Sequence, residues 1–459
     1  MSPHNAPRLE SLGKVHFIGI GGVGMSAVAR IMVARGVPVS GSDAKDLPVM
    51  ADLAAAGARI AVGYAAVNLA DAQTIVAGSA IREDNPELAA AREAGLPVLH
   101  RSQALAATMG DDTVVTVAGT HGKSTTTSMI TVLLRAAGLD PSFAVGANIP
   151  AIGVNAAHGS TGIFVAEADE SDGSFLNYRP RIEVVTNVEP DHLDYYGTAE
   201  AVYQSFDRFT ALLPADGLLV ACADDAGALA LAERTKARGN TRVLLYGTSE
   251  ASDIRLDDGG PGQVAVSTRD GARYGLSLQV PGRHNALNAA AAFTVALELG
   301  VDPATAADGL AHFSGASRRF ELKGTVRGVR VFDDYAHHPT EVRAALTAAR
   351  SVAGDHNVHV LFQPHLFSRT REFAAEFAEA LNLADTALVL DIYPAREDPI
   401  PGVTSQLIAD HLTGGGRLVG SEDAVRSLAE AAVDGDVVLT VGAGDVTAYG
   451  PRIVEALRA

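Results

Sequence analysis

Three times along the chain, a short apolar run ends in a turn and gives way to a helix-like stretch. Val15 to Ile20 leads into Gly21-Gly22-Val23-Gly24 and an alanine-rich segment to Arg35. Thr113 to Ala118 leads into Gly119-Thr120-His121-Gly122-Lys123-Ser124 and a helical run through Leu134. A third series opens at Val329 to Phe332 and continues with strand candidates at Val358 to Phe362, Ala387 to Leu390 and Val437 to Val441. Strands alternating with helix-patterned segments predict an α/β protein with parallel, doubly wound sheets. Sheets of this kind bind ligands at the carboxyl ends of their strands.

One segment breaks the alternation. Asp253 to Gly282 is glycine-rich, with short alternating runs at Gln263 to Thr268 and Tyr274 to Val280, which predicts a small β meander. Boundaries fall near Thr108 to Asp112 and near Gly315 to Arg319. The expected organisation is therefore a Rossmann-like domain over 1–109, a central P-loop ATPase-type α/β domain with the meander over 110–318, and a second Rossmann-like domain over 319–459.

At 459 residues the chain is too long for one ordinary core, which agrees with several domains. Aromatic residues make up 5% and tryptophan is absent, so a stacking platform for single-stranded nucleic acid is not expected. With 36 Lys and Arg against 54 Asp and Glu, the formal net charge of −18 repels phosphate backbones. Neither nucleic acid nor an anionic membrane is an expected partner, although one pocket can still be locally positive. The single cysteine, Cys222, excludes an internal disulfide framework and reads as a small buried apolar residue. Met1 to Lys14 lacks the basic-then-apolar pattern of a secretory signal. The longest run without charged residues, Pro141 to Ala166, contains prolines, glycines, Asn148, Asn155 and His158 and would make a poor membrane helix. A soluble, cytoplasmic protein is expected, with its oligomeric state open.

Gly19-Ile20-Gly21-Gly22-Val23-Gly24 fits G-x-G-x-x-G, follows a strand candidate and opens a helix, with Asp43 nineteen residues after Gly24 beyond a strand candidate at Val37 to Val39. Glycines there let the backbone approach a diphosphate while the helix amino terminus faces its charge. The motif by itself leaves a redox dinucleotide, another nucleotide diphosphate and plain packing all open. Gly122-Lys123-Ser124 is more specific: backbone N–H donors, a lysine for the β/γ-phosphates and a hydroxyl for Mg²⁺. Full Walker spacing would require glycine at Val117, so the match is partial. Ile163 to Ala166 reads as a buried strand that ends in Glu167-Ala168-Asp169-Glu170-Ser171-Asp172, where Glu167 is placed to hold Mg²⁺ against phosphates. After a further strand, Ile182 to Thr186, His192 is a candidate ligand for a second divalent ion, oriented by Asp191 or Asp194. His284 and Asn288 lie one helical turn apart. Arg318-Arg319-Phe320 and Asp333-Asp334-Tyr335-Ala336-His337-His338 sit at the second boundary and after it.

Taken in order, the 119–125 loop, the 167–172 acids, Asp191-His192-Leu193-Asp194, His284-Asn285 to Asn288, Arg319-Phe320 and Asp334-Tyr335-Ala336-His337 resemble the Mur ligases, ATP-dependent amide-bond ligases of peptidoglycan assembly. Within that family, Ile18 to Ser26, Gly41-Ser42-Asp43, His337 to Glu341, Phe362-Gln363-Pro364-His365 and Asp391 to Pro394 are similar to the branch that adds L-alanine to UDP-N-acetylmuramate. The resemblance implies ATP and Mg²⁺ as cofactors, with small-molecule substrates UDP-N-acetylmuramate, ATP and L-alanine. It implies that Lys123, His192, Arg319 and His337 are catalytic. ATP would be bound by Gly119, Thr120, His121, Gly122, Lys123, Ser124, Thr125, Asn288, Arg319 and Asp334. The UDP-sugar would be bound by Gly19, Gly21, Gly22, Val23, Gly24, Met25, Ser26, Asp43, Ser79 and His337. His365 and Arg369 would take the amino acid, and Ser124, Glu167 and His192 the metal.

The chain departs from sister ligases at three places. Phe206 stands where several have a carbamylated lysine, as the alanine-adding branch would require; Leu366 replaces an arginine of some members; and Tyr64 follows Gly63 where a histidine is expected. The alternatives are a recycling ligase that adds a peptide to the same nucleotide sugar, an NAD-dependent oxidoreductase built on the first turn, and a non-catalytic nucleotide-sugar sensor.

Overall fold

In the computed structural model, the residues described are 7–258, 264–395, 397–414 and 416–459, with the backbone alone for Asp194 and Asp258. The chain divides into two compact units, Met1–Leu278 with Leu287–Ser314, and Gln279–Ala286 with Gly315–Ala459.

The first unit contains two sheets. β1 (Val15–Ile18), β2 (Val39–Asp43), β3 (Arg59–Val62), β4 (Thr74–Ala77) and β5 (Val98–His100) form an all-parallel sheet in the order β3-β2-β1-β4-β5. β1 stops at Ile18, short of the expected Ile20, because the N–H groups of Gly19 and Ile20 both turn to the carbonyl of Ser42, at 2.8 and 2.9 Å. β2 corrects the expected Val37 to Val39: it runs later, so Asp43 is its last residue. Ser40, Gly41 and Ser42 look like a turn in sequence, yet all three are buried beside β1, their hydroxyls satisfied by buried side chains.

The second sheet has ten strands: β6 (Thr113–Ala118), β7 (Ser142–Ile149), β8 (Val154–Ala157), β9 (Ile163–Glu167), β10 (Ile182–Val185), β11 (Leu218–Cys222), β12 (Arg242–Gly247), β13 (Ile254–Asp258), β14 (Val264–Thr268) and β15 (Arg273–Leu276), in the order β15-β14-β13-β12-β11-β10-β6-β9-β7-β8. The uncharged run Pro141 to Ala166 supplies β7, β8 and most of β9. The meander exists but is not a separate sheet: β13 pairs in parallel with β12, and β14 and β15 continue it antiparallel. Ile254, Leu256, Ala265, Val266 and Leu276 are buried, and Tyr274 packs on Phe293, so its apolar face is part of the central core. Gln263 lies outside the described residues. Cys222 is buried and free, as expected.

The second unit is built on β16 (Glu321–Val326), β17 (Val329–Asp334), β18 (Val358–Phe362), β19 (Thr386–Val389), β20 (Arg417–Leu418) and β21 (Val437–Val441), ordered β16-β17-β21-β18-β19-β20 with only β16 antiparallel. Val360, Phe362, Leu439 and Val441 pack on one face with Val342, Leu346, Phe377 and Leu381. Leu361, Leu388 and Val438 pack on the other with Leu428, Ile453 and Leu457. Both faces are apolar because helices cover both, which is why these strands read as continuous hydrophobic runs. Among the described residues, no helix is long and apolar enough to cross a membrane.

Candidate active site

The turn after β6 is held in shape mainly from β10. Thr186 Oγ1 and Asn187 Nδ2 donate to the His121 carbonyl at 2.6 and 3.0 Å, while Asn187 Oδ1 accepts from His121 N–H at 2.8 Å. Gly119 and Gly122 have φ of +135° and +82°, a region in which side chains are strained. A Cβ at Gly122 would lie 2.9 Å from Asn288 Oδ1, so the expected ATP residue Asn288 does border the loop. Lys123, at the start of the helix Lys123–Ala136, points its ammonium back into the turn. It donates to the Gly119 and Thr120 carbonyls at 2.7 and 3.2 Å and to Glu170 Oε1 at 2.9 Å.

Three acids from the end of β9 onward set the electrostatics. Burial by itself would lower the Lys123 ammonium, but Glu170, Asp169 and Glu167 outweigh it and hold its proton more tightly than usual. Burial pushes Glu170 up to about 7, against the pull of Lys123. Glu167 ends β9, where its Oε2 accepts from Gly146 N–H at 2.7 Å. His192 sits at φ +55°, uncommon for a residue other than glycine, with Nε2 3.8 Å from Glu170 Oε1 and 3.6 Å from Asp191 Oδ2. Asp194, the alternative orienting acid, lies outside the described side chains. A buried hydroxyl at Ser124, the carboxylate of Glu167 and a buried Glu170 Oε2 that meets no donor among the described residues make a set of hard oxygen donors, which fits Mg²⁺.

The first turn is held differently. Gly19 has φ +81°, and Gly21 N–H donates to Asp43 Oδ2 at 3.0 Å, so one oxygen of the expected nucleotide-contacting aspartate fixes the turn itself. Gly22 caps the helix Val23–Ala34 without a side-chain bond, Val23 is exposed, and Met25 and Ser26 are buried. Below the turn, Glu87 is fully buried and accepts four hydrogen bonds: from Ser42 Oγ at 2.5 Å, Asn68 Nδ2 at 2.6 Å, Ala65 N–H at 3.1 Å and His16 Nε2 at 3.3 Å. Burial would raise its carboxyl, but these bonds outweigh burial and hold it below the usual range. Ser79 bonds to His100 Nε2 and to Asp172 Oδ2, both at 3.1 Å. Beside this contact lies a cavity of ≈ 840 Å³ whose lining includes Ser79, His100, Asp172, Asn177, Tyr195 and Arg208.

In the second unit, the adjacent arginines divide their work. Arg318 donates to the carbonyls of Gly442 and Gly444 at 2.6 and 3.1 Å and is a structural clamp. Arg318 and Arg319 each lie over the Tyr335 ring, at 4.8 and 4.9 Å. Asp334 accepts from Ala336 and Phe320 N–H, each at 2.8 Å, and burial raises its carboxyl to about 6 although Arg319 draws it down. His337 and His365 come together with ring centroids 6.0 Å apart, and His365 stacks on Tyr393. Arg369 is buried in the helix Phe367–Leu381. Sequence reasoning missed Glu87 and Asn187 as a staple of the second turn, and gave Tyr393 no role although it lies in the Asp391 to Pro394 motif. For Glu87 the signal was the Asn-Pro-Glu helix start at residues 85–87, a capped amino terminus.

Comparison with known proteins places the chain in a family. Residues 14–113 match the model described as Mur ligase family, catalytic domain; residues 117–296 the Mur ligase middle domain; and residues 318–444 the Mur ligase, glutamate ligase domain. The UDP-N-acetylmuramate–L-alanine ligase of Paenarthrobacter aurescens (strain TC1) is 79% identical, covering 98% of both chains. That of Arthrobacter sp. (strain FB24) is 80% identical, covering 98% of this chain and 96% of its own. The crystal structure of the UDP-N-acetylmuramate–alanine ligase from Thermotoga maritima is similar with a TM-score of 0.79 and 29% identity, over 97% of this chain and 99% of that one. With three domain matches in family order and relatives at this identity over nearly its whole length, the chain belongs to the Mur ligase family.

Proposed function

We propose that this protein is the ATP-dependent ligase that joins L-alanine to the lactyl carboxylate of UDP-N-acetylmuramate, in cytoplasmic assembly of the peptidoglycan precursor. The observation that carries the reading is the second turn: a lysine with its side chain only 14% exposed and ringed by carboxylates, with a hydroxyl beside it and a histidine within 3.8 Å of Glu170. The names of relatives 79% and 80% identical support the choice of substrates.

A carboxylate is a poor acyl donor, and its encounter with ATP brings two anions together. The turn's N–H groups and the Lys123 ammonium offset that repulsion where negative charge builds on the transferring phosphoryl group. The lactyl carboxylate oxygen bonds to the γ-phosphorus and ADP leaves, giving an acyl phosphate. The alanine amine then attacks the acyl carbon, loses a proton, and phosphate departs from the tetrahedral intermediate. Ser124 and Glu167, and at a second position His192, would hold Mg²⁺, which when bound would further neutralise phosphate charge. Asn288 borders the phosphate loop as a residue for ATP, and the Gly19 to Ser26 turn with Asp43 and Ser79 takes the UDP-sugar. The family likeness supports roles for Arg319 and Asp334 toward ATP, His337 toward the nucleotide sugar, and His365 and Arg369 toward the amino acid.

Phosphate release with ATP, Mg²⁺ and UDP-N-acetylmuramate tests the reading. The expected result is release that depends on L-alanine and is not supported by a tripeptide. Release with tripeptide but not alanine would indicate the recycling ligase instead, and release with neither would remove the ligase reading.

A further inference from the structure

The residues Gly19 to Ser26 contain no cationic side chain, although the ligand read for this turn carries a diphosphate. Arg101 supplies a cation from elsewhere in the fold. It begins the helix Arg101–Met109 directly after β5, at the carboxyl edge of the first sheet. That helix packs against Val23–Ala34, and the arginine side chain lies on the first turn of the latter: a Cβ at Gly24 would sit 2.5 Å from Arg101 Nη1 and 3.0 Å from its Cδ. The third glycine of the motif thus makes room for a guanidinium. Arg101 is partly exposed, with its side chain 30% accessible, and its ion pair with Asp169 is long, at 3.8 Å. A loosely paired guanidinium held over a helix amino terminus, among backbone N–H groups, suits bidentate recognition of phosphate oxygens.

We propose that Arg101 is the cation that binds the diphosphate of the nucleotide sugar at the Gly19–Gly24 turn. Asp169 holds the guanidinium in place from the acidic loop of the second sheet, so the residue that reads the first ligand also touches the loop beside Lys123. This rests on the reading that the first turn takes the UDP-sugar.

The test is the affinity of the full-length protein for uridine, UDP and UDP-N-acetylmuramate, measured by calorimetry or competition in wild type, Arg101→Met and Arg101→Lys. Wild type should bind UDP more tightly than uridine. Arg101→Met should weaken UDP and UDP-N-acetylmuramate about tenfold or more while leaving uridine unchanged, since a charge-assisted hydrogen bond of this kind is lost. Arg101→Lys should recover part of the phosphate-dependent gain. An equal loss for all three ligands would mean a purely structural role and overturn the proposal, as would unchanged UDP affinity. Should Arg101→Met fail to fold, Arg101→Lys must still lose affinity for UDP selectively over uridine, or the proposal falls. If wild type itself binds UDP no better than uridine, the assignment of the turn fails first, and the proposal with it.

Discussion

The two glycine turns of the first unit use the same strand–turn–helix device and differ in where their charge comes from. The turn after β1 takes a carboxylate oxygen from Asp43 to fix its own backbone and has a cation, Arg101, leaning on it from another helix. The turn after β6 carries its own lysine, surrounds it with Glu167, Asp169 and Glu170, and is stapled to Thr186 and Asn187 of the neighbouring strand end. The first arrangement suits a ligand that is held, the second a ligand whose phosphate is transferred. Similar motifs therefore imply different chemistry once their neighbours are known.

The largest expected effect separates the two turns by substitution. Lys123→Met should lower ligation roughly 10²–10³-fold, the scale of losing one preorganised charge at a transition state. It should leave UDP binding at the first turn intact. Gly21→Ala should do the opposite: an added Cβ would meet Leu47 Cδ1 at 2.5 Å and Asp43 Oδ2 at 3.0 Å, raising KM for the nucleotide sugar with little change in KM for ATP. Steady-state kinetics with each substrate varied in turn checks both, and equal effects on both substrates would erase the distinction.

A smaller effect comes from two buried glutamates, one in the helix Pro86–Glu93 and one in a strand of the second sheet. Glu87 has four donors and a depressed carboxyl; Glu183, in β10, is fully buried, meets no hydrogen-bond donor among the described residues, and is pushed well above the usual range by burial. Glu87 thus contributes stability present above its unfolded value of 4.5 and lost as pH falls. Glu183 contributes stability complete below 4.5 and lost as pH rises toward its higher folded value. Glu87→Gln should cost about 1–3 kcal/mol at neutral pH, because at least one buried donor loses its acceptor. Glu183→Gln should gain in melting temperature relative to wild type as pH rises above 4.5, where the wild-type carboxyl resists ionising. Thermal melts of both variants across pH would show slopes of opposite sign; parallel slopes would contradict the assignment.

How much of this was legible in the sequence depended on how local each feature is. The strands β6, β18 and β21 could be read because both of their faces are apolar, and Gly122-Lys123-Ser124 because phosphate chemistry needs those groups adjacent in the chain. β2 was displaced because its interior is Ser-Gly-Ser, residues that signal turns unless a buried carboxylate such as Glu87 satisfies them. The meander was recognised, but its attachment to β12 depends on a pairing between residues at Tyr246 and Ile254 that no local pattern encodes. Arg101 and Glu87 read as ordinary first-turn residues of surface helices; packing against distant segments gives them their surroundings. Arg318 and Arg319 are neighbours in sequence, and nothing local foretells that Arg318 clamps the carbonyls of residues 442–444 while Arg319 draws on Asp334.

The most direct test of the phosphoryl-transfer account follows an oxygen atom. UDP-N-acetylmuramate labelled with oxygen-18 in its lactyl carboxylate should yield inorganic phosphate that carries one labelled oxygen per turnover, because the carboxylate oxygen that attacks phosphorus leaves with it. Unlabelled phosphate, formed alongside the amide product, would contradict activation of the carboxylate at the second turn.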